Sequence, residues 1–152
     1  MTDEFQPLIP DFDPGEPGAA LGKGMAWPPR EDPTTGDFKR AEGEESISSC
    51  ILNLITTVYE EIPLLELMGT RIERLLFSND LDGLLELFRL EVGEALKRHE
   101  KRVFYLGTTF EVSGTDRNTL SVKARIRYRV RATGQPDTLV FPFSLNGTPE
   151  GV

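Results

Sequence analysis

One cysteine and one histidine occur among 152 residues, and no apolar run approaches the length of a membrane span. Cys50 alone cannot close an internal disulfide, and Cys50 with His99 is too small a donor set for a protein-only zinc site. The longest apolar stretches, around Cys50–Ile55 and Leu64–Met68, fall far short of the roughly 18 residues that a bilayer crossing needs. Positive charge is missing from the opening Met1-Thr2-Asp3-Glu4, where a secretory signal would carry it ahead of an apolar block. These absences predict a cytoplasmic protein with no disulfide scaffold, no metal, no cofactor and no direct membrane insertion. Basic residues are also scarce, 17 against 25 acidic, for a formal net charge of −8. That argues against a general nucleic-acid binder.

What is present is 38% hydrophobic and 28% charged residues, the composition of one globular domain. The charge is unevenly distributed. Residues 1–96 carry 7 basic and 20 acidic side chains, or −13; residues 97–131 carry 10 and 3, or +7; residues 132–152 add −2. A chain polarised in this way suits docking to several partners through surfaces of opposite sign.

The first 36 residues hold 7 of the 11 prolines and 5 of the 14 glycines. Proline removes backbone donors and fixes φ, so this part reads as an extended or disordered arm rather than a helix or central strand. Beyond it, Ser46 stands before Ile47, Cys50, Ile51, Leu54, Ile55 and Val58 at helical spacing, and reads as the N-cap of a helix running to about Val58. Pro63 ends that possibility, and a short amphipathic piece, Gly69–Phe77, follows. Ser78-Asn79-Asp80 then offers caps for the strongest helix. Its stripe is Leu81, Leu84, Leu85, Phe88, Val92, Ala95, Leu96 and His99, with Asp80 and Asp82 at the start and Lys97, Arg98 and Lys101 near the end, as the macrodipole favours.

The period then changes to two. Phe104, Leu106, Phe110 and Val112 alternate with polar neighbours, a turn is expected over 113–118, Leu120–Ala132 forms a second strand and Thr138–Phe143 a third. Short connections between consecutive strands imply an antiparallel meander. The expected fold is α+β: two main helices plus a short one packed on a three-stranded antiparallel meander, with an extended Pro/Gly-rich N-terminal arm. The expected divisions are an arm over 1–36, one domain over 37–145 and a flexible tail over 146–152.

The second strand carries the sharpest pattern. Lys123, Arg125, Arg127, Arg129 and Arg131 share one face, and Val122, Ala124, Ile126, Tyr128 and Val130 the other. Three readings fit the row of cations: a solvated sheet face, a docking face for an acidic protein surface, or a nucleic-acid surface, the last lacking aromatic platforms between the charges. A meander also leaves two edges, open either to strand exchange with a partner or to ordinary protection such as Pro142 supplies. Glu60, Glu61 and Glu100 raise glycoside hydrolysis, which needs two carboxylates at a fixed separation. Nothing in the sequence fixes such a pair, and Glu100 lies among Lys and Arg residues that favour its ionised form. His99 reads as interfacial or partly buried, and Cys50 as core, with no second histidine to activate it. Gly15, Gly18, Gly22 and Gly24 do not follow a strand, so no phosphate loop is read.

In order along the chain, Gly24-Met25-Ala26-Trp27-Pro28-Pro29, Gly43–Ile47 with Thr56-Thr57, Glu61–Gly69, Leu75-Leu76-Phe77, Ala95–Val103 and Leu139–Phe143 resemble the gene-25-like (W family) baseplate wedge proteins of contractile phage tails and phage-tail-like injection systems. The likeness runs from about Gly24 to Phe143. It departs from the family where Glu60, Ile62, Glu66 and Met68 replace its Gly, Arg, Pro and Phe, and where Lys101 replaces the Pro of its Glu-Pro-Arg signature. Glu100 and Arg102 keep that signature's ends. The acidic-aromatic Leu-Asn signature usual in the type VI branch is missing, which favours a phage tail or phage-tail-like particle.

The resemblance implies a structural part, not a catalyst. On this resemblance it would attach to a helical core bundle of other wedge subunits through Glu100, Arg102, Lys101, His99 and Glu61, and would start the contractile sheath by strand exchange. Lys123, Arg125, Arg127, Arg129, Arg131, Leu139, Val140 and Phe141 would face the sheath subunit. The implied setting is a sixfold baseplate with several copies near a central hub or spike and the inner tube, assembled in the cytoplasm of the producing bacterium. The alternatives are a lysozyme-like hydrolase of the baseplate and a nucleic-acid-binding adaptor.

Overall fold

A computed structural model describes residues 21–63, 67–72, 80–114 and 120–144. Seven elements follow in order: β1 (Lys23–Met25), β2 (Arg40–Glu42), α1 (Gly43–Thr56), α2 (Leu81–His99), β3 (Val103–Ser113), β4 (Ser121–Val130) and β5 (Pro136–Ser144). β3, β4 and β5 form an antiparallel meander in sequence order, and α1 and α2 pack on its inner face. The expected α+β architecture is the observed one. Most of the expected short helix over Gly69–Phe77, the turn over 113–118, the arm before Leu21 and the tail after Ser144 lie outside the described residues.

Part of the expected arm is folded. The proline-free Lys23–Met25 pairs antiparallel with Arg40–Glu42, and Leu21 is buried in the core. This ribbon joins the domain through α1, where Gly24 leaves Ser46 close against the chain. Ser46 is therefore not a cap. α1 begins four residues earlier, at Gly43 after Glu42, and Ser46 is buried within its first turns. The helix also stops short of Val58, at Thr56. The Thr56 and Thr57 hydroxyls donate back to the carbonyls of Leu52 and Asn53, the local competition that weakens a helix end. Val58 instead bridges Thr70. Ile47, Ile51, Leu54 and Ile55 are buried as their spacing requires, but Cys50 is exposed, which corrects its placement in the core. Ser46 and Ser49 take the inward positions beside those aliphatic residues, because the ribbon covers a second side of α1.

α2 buries Leu84, Phe88, Val92, Gly93, Ala95 and Leu96. At Gly93 an added Cβ would approach the Tyr105 ring to 2.9 Å, so glycine lets the first strand of the meander lie close to the helix. His99, expected to close the stripe, is exposed.

The alternation of β4 is that of the sequence: Val122, Ala124, Ile126, Tyr128 and Val130 are buried while the five cations are exposed. β3 departs from expectation. A register shift between Tyr105 and Gly107 inserts Leu106 as a bulge, and an extra residue inverts the faces of everything before it. Val103 and Tyr105 face inward before the bulge and Thr108 and Phe110 after it, leaving Phe104 and Leu106 in solvent.

The core centres on Phe88, whose ring meets Phe110 edge-on at 5.5 Å and stacks on Phe143 at 5.2 Å and on Phe141 at 6.3 Å. Tyr128 brings one polar atom inside. Its hydroxyl donates to Asp137 at 2.7 Å and is 3.1 Å from the Ser48 hydroxyl.

Burial, reinforced by Asp137, holds the Tyr128 phenol above its ordinary value of 10.0. The native state therefore keeps this proton more tightly than the unfolded chain does. Its contribution to stability is full below pH 10 and is lost as pH rises beyond it. Tyr128→Phe is expected to lose about 1 kcal/mol at neutral pH from the broken hydrogen bonds and to flatten the decline above pH 10. Urea unfolding across alkaline pH checks this; a parallel decline in both proteins would rule it out.

Candidate assembly interface

Two neighbouring features carry the charge: the junction that ends α2 and the outer face of the sheet that follows it. At the junction, Glu100 leaves helical geometry while its N–H still donates to the Leu96 carbonyl. Its carboxylate turns inward and is buried. There Oε1 accepts from Nε of Arg102 at 2.8 Å and from the Arg102 backbone N–H at 3.2 Å, and Oε2 accepts from Nη2 at 2.6 Å. This is the two-pronged match of guanidinium to carboxylate. The remaining guanidinium nitrogen, Nη1, donates to the Leu21 carbonyl at 2.6 Å and lies 3.5 Å from the Ser46 hydroxyl. The bond to Glu100 raises the proton affinity of Arg102 above even that of an ordinary arginine, against an opposing cost of burial.

Glu100 and Arg102 thus face each other rather than offering opposite charges outward, and together they join the end of α2, the start of the meander and the beginning of the ribbon. Around them, His99 places Nε2 2.8 Å from the Leu67 carbonyl, and Arg98 donates to the Tyr59 hydroxyl at 3.2 Å. These two contacts tie Tyr59 and Leu67 to the helix end. Lys101 is exposed and donates to the Lys97 carbonyl. Glu61 lies between these two positions in the chain, but its carboxylate has a local task, accepting the Val58 N–H at 2.9 Å.

The outer face of the meander is the larger surface. Across β4 the pairs are Phe104 with Arg129, Thr109 with Arg125, Glu111 with Lys123, and on the other side Val140 with Arg125 and Thr138 with Arg127. Arg125 meets Glu111 at 2.8 Å, and the Arg131 guanidinium lies over the Phe104 ring at 3.7 Å, close enough for cation–π attraction. Among the described residues, Lys123, Arg127, Arg129 and Arg131 have no ion-pair partner. Of the three last-strand positions, Val140 alone points outward. Phe141 is buried and Leu139 packs against the core, so both can serve an edge only through their backbone. Phe104 was not foreseen as part of this face, because the bulge that turns it outward has no residue signature. The tie from Leu21 to Arg102 spans 81 positions and had no local signal.

Among the described residues no group of three or more His, Cys, Asp or Glu side chains could hold a metal ion, and no helix is long and apolar enough to cross a membrane.

Residues 41–135 match the family described as "Baseplate wedge protein gp25". The chain belongs to this baseplate wedge family. The matched span contains the Glu100–Arg102 junction and the whole arginine strand, and it ends just before β5. The gp25-like fold recurs in the cryo-EM structure of the sixfold-symmetrised baseplate of the anti-feeding prophage, with 27% identity, a TM-score of 0.63, and coverage of 74% of this chain and 88% of that one. It recurs also in a 1.44 Å crystal structure from Geobacter sulfurreducens of a protein provisionally described as a tail lysozyme, with 31% identity, a TM-score of 0.56, and coverage of 66% and 89%. No curated protein matches. As a member of a structural baseplate family, this gp25-like chain is a baseplate component. Of the three carboxylates that raise hydrolysis, Glu100 binds Arg102 and Glu61 accepts the Val58 N–H.

Proposed function

We propose that this gp25-like chain attaches to the helical core bundle of other wedge subunits at the junction of Glu100–Arg102, Lys101 and His99, with the Glu61 segment beside it. From there it starts sheath assembly by offering its meander to the first sheath ring. The carrying observation is the open three-stranded sheet, whose outer face presents Lys123, Arg125, Arg127, Arg129 and Arg131 in one row beside the edge strand β5. An edge strand supplies main-chain donors and acceptors at regular spacing, so a sheath strand can extend the ladder there. The cation row adds long-range attraction to an acidic sheath or wedge surface and fixes register. Glu100 supports this indirectly: by anchoring Arg102 it sets the angle between α2, which would face the core bundle, and the sheet, which would face the sheath. The setting proposed is a sixfold baseplate with several copies, near the hub or spike and inner tube, built in the cytoplasm of the producing bacterium.

Replacing Arg125, Arg127 and Arg129 together with Glu is expected to leave the subunit folded, since all three are exposed, while abolishing sheathed particles. Juxtaposed like charges cost several kcal/mol at an interface. Electron microscopy of particles assembled with the variant checks this. Normal sheaths, or an assembled-baseplate map in which both edges of the meander face water, would overturn the reading.

A further inference from the structure

We propose that residues 1–20 of this chain dock on the arginine face of their own sheet in the free subunit, covering it until a partner displaces them. The segment carries five acidic side chains, Asp3, Glu4, Asp11, Asp13 and Glu16, and no lysine or arginine. The face carries the opposite set: Lys123, Arg125, Arg127, Arg129 and Arg131, all but Arg125 without an ion-pair partner among the described residues. Apolar groups match as well. Phe5, Leu8, Ile9 and Phe12 lie between the acids, and Phe104 and Val140 stand outward beside the cations, 49% and 46% exposed.

The described chain begins at the right place. The Leu21 carbonyl is held by Arg102, whose own carbonyl accepts the N–H of Arg131 at 2.8 Å, the residue that closes the cation row. Twenty residues can span at most about 66 Å at about 3.3 Å each, whereas the ten residues of β4 extend about 33 Å. The segment can round the end of the sheet and still run the length of the row. Tethering at that end gives it an effective concentration of order mM, so weak contacts suffice. Pro7, Pro10, Pro14 and Pro17 remove donors a β-ladder would need, which directs the docking to side chains on the face rather than to an edge. Asp11 and Asp13, two apart, repeat the period of the cations.

The inference concerns the free subunit and does not depend on the sheath reading, although both use the same face. Its test places a nitroxide at position 12 by Phe12→Cys in a Cys50→Ser background of the full, isotope-labelled chain and reads amide broadening by NMR. Phe104, Arg127, Arg129 and Val140 are expected to broaden, while Leu87 and Leu90, exposed on α2, stay sharp. Neutralising the five acids, with Asn for Asp and Gln for Glu, should remove the broadening. Equal broadening of both faces, or broadening indifferent to neutralisation, overturns the proposal. So does broadening seen only when spin-labelled and isotope-labelled chains are separate molecules in a mixture, which would mean exchange between copies. No sheath is present in the sample, so a negative result leaves the sheath reading to its own test.

Discussion

Arg102→Ala is expected to cost about 3–5 kcal/mol of folding stability, the loss typical when one member of a buried ion pair is removed. The Glu100 side chain is only 8% exposed, so without the guanidinium a charged carboxylate would remain inside, with Oε2 unmatched and Oε1 left only the backbone N–H of residue 102. The Leu21 carbonyl would lose its 2.6 Å donor at the same time, releasing the start of the ribbon from the end of the meander. Urea unfolding followed by circular dichroism measures the loss. The double variant Glu100→Ala with Arg102→Ala should recover part of it, because no buried charge is then left unpaired. Arg102→Lys should fall in between, since an ammonium cannot reproduce the fork. A loss from Arg102→Ala below about 1 kcal/mol, the scale of an exposed pair, would mean that the junction does not hold the elements together. For particle assembly the same geometry implies that variants at Glu100 and Arg102 act through the angle between α2 and the sheet, whereas variants at Arg125, Arg127 and Arg129 act on the surface itself and leave stability nearly unchanged.

Phe88→Ala should be comparably severe, at about 3–5 kcal/mol. Phe88 is fully buried and contacts the rings of Phe110, Phe141 and Phe143, so truncation leaves a cavity bordered by three aromatic faces and forfeits their paired geometry. Two of those rings belong to β5, the edge strand proposed to meet the sheath. Amide exchange in Phe88→Ala is therefore expected to rise first in Pro136–Ser144 and only later in the β3–β4 pair. Phe88→Leu, which keeps most of the volume, should lose much less. Unchanged protection of β5 alongside a large loss of stability would place the role of Phe88 elsewhere in the core.

Much of the candidate site was legible because its pattern is local. In β4 a residue and its next-but-one neighbour must share a face of the pleat, so the row from Lys123 to Arg131 and the buried row from Val122 to Val130 could be assigned without any contact information. α2 was legible for a similar reason, its apolar positions recurring at 3.6-residue spacing. The burial of Ser46 and Ser49 was missed because apolar spacing describes one buried face, and the ribbon that covers a second side of α1 comes from a proline-rich stretch with no periodicity. Phe104 was missed because a bulge changes which alternation is inward while leaving the composition of the strand unaltered.

By itself, then, the amino-acid order determined the elements whose partners are their own near neighbours: the two helices, the three-stranded meander, the polarised charge and the single-faced run of cations. The tertiary structure decided where long-range partners compete for one group. Arg102 could have pointed at solvent or at another subunit; it turns inward because Glu100, two residues away, and Leu21, 81 positions away, together satisfy its planar donors better than water does once Glu100 is buried. The same rule governs the absence that marks this chain from the start. A lone Cys50 and a lone His99 excluded disulfide and zinc from composition alone, but only packing showed both side chains to be on the surface, because exposure depends on what the rest of the chain brings against them.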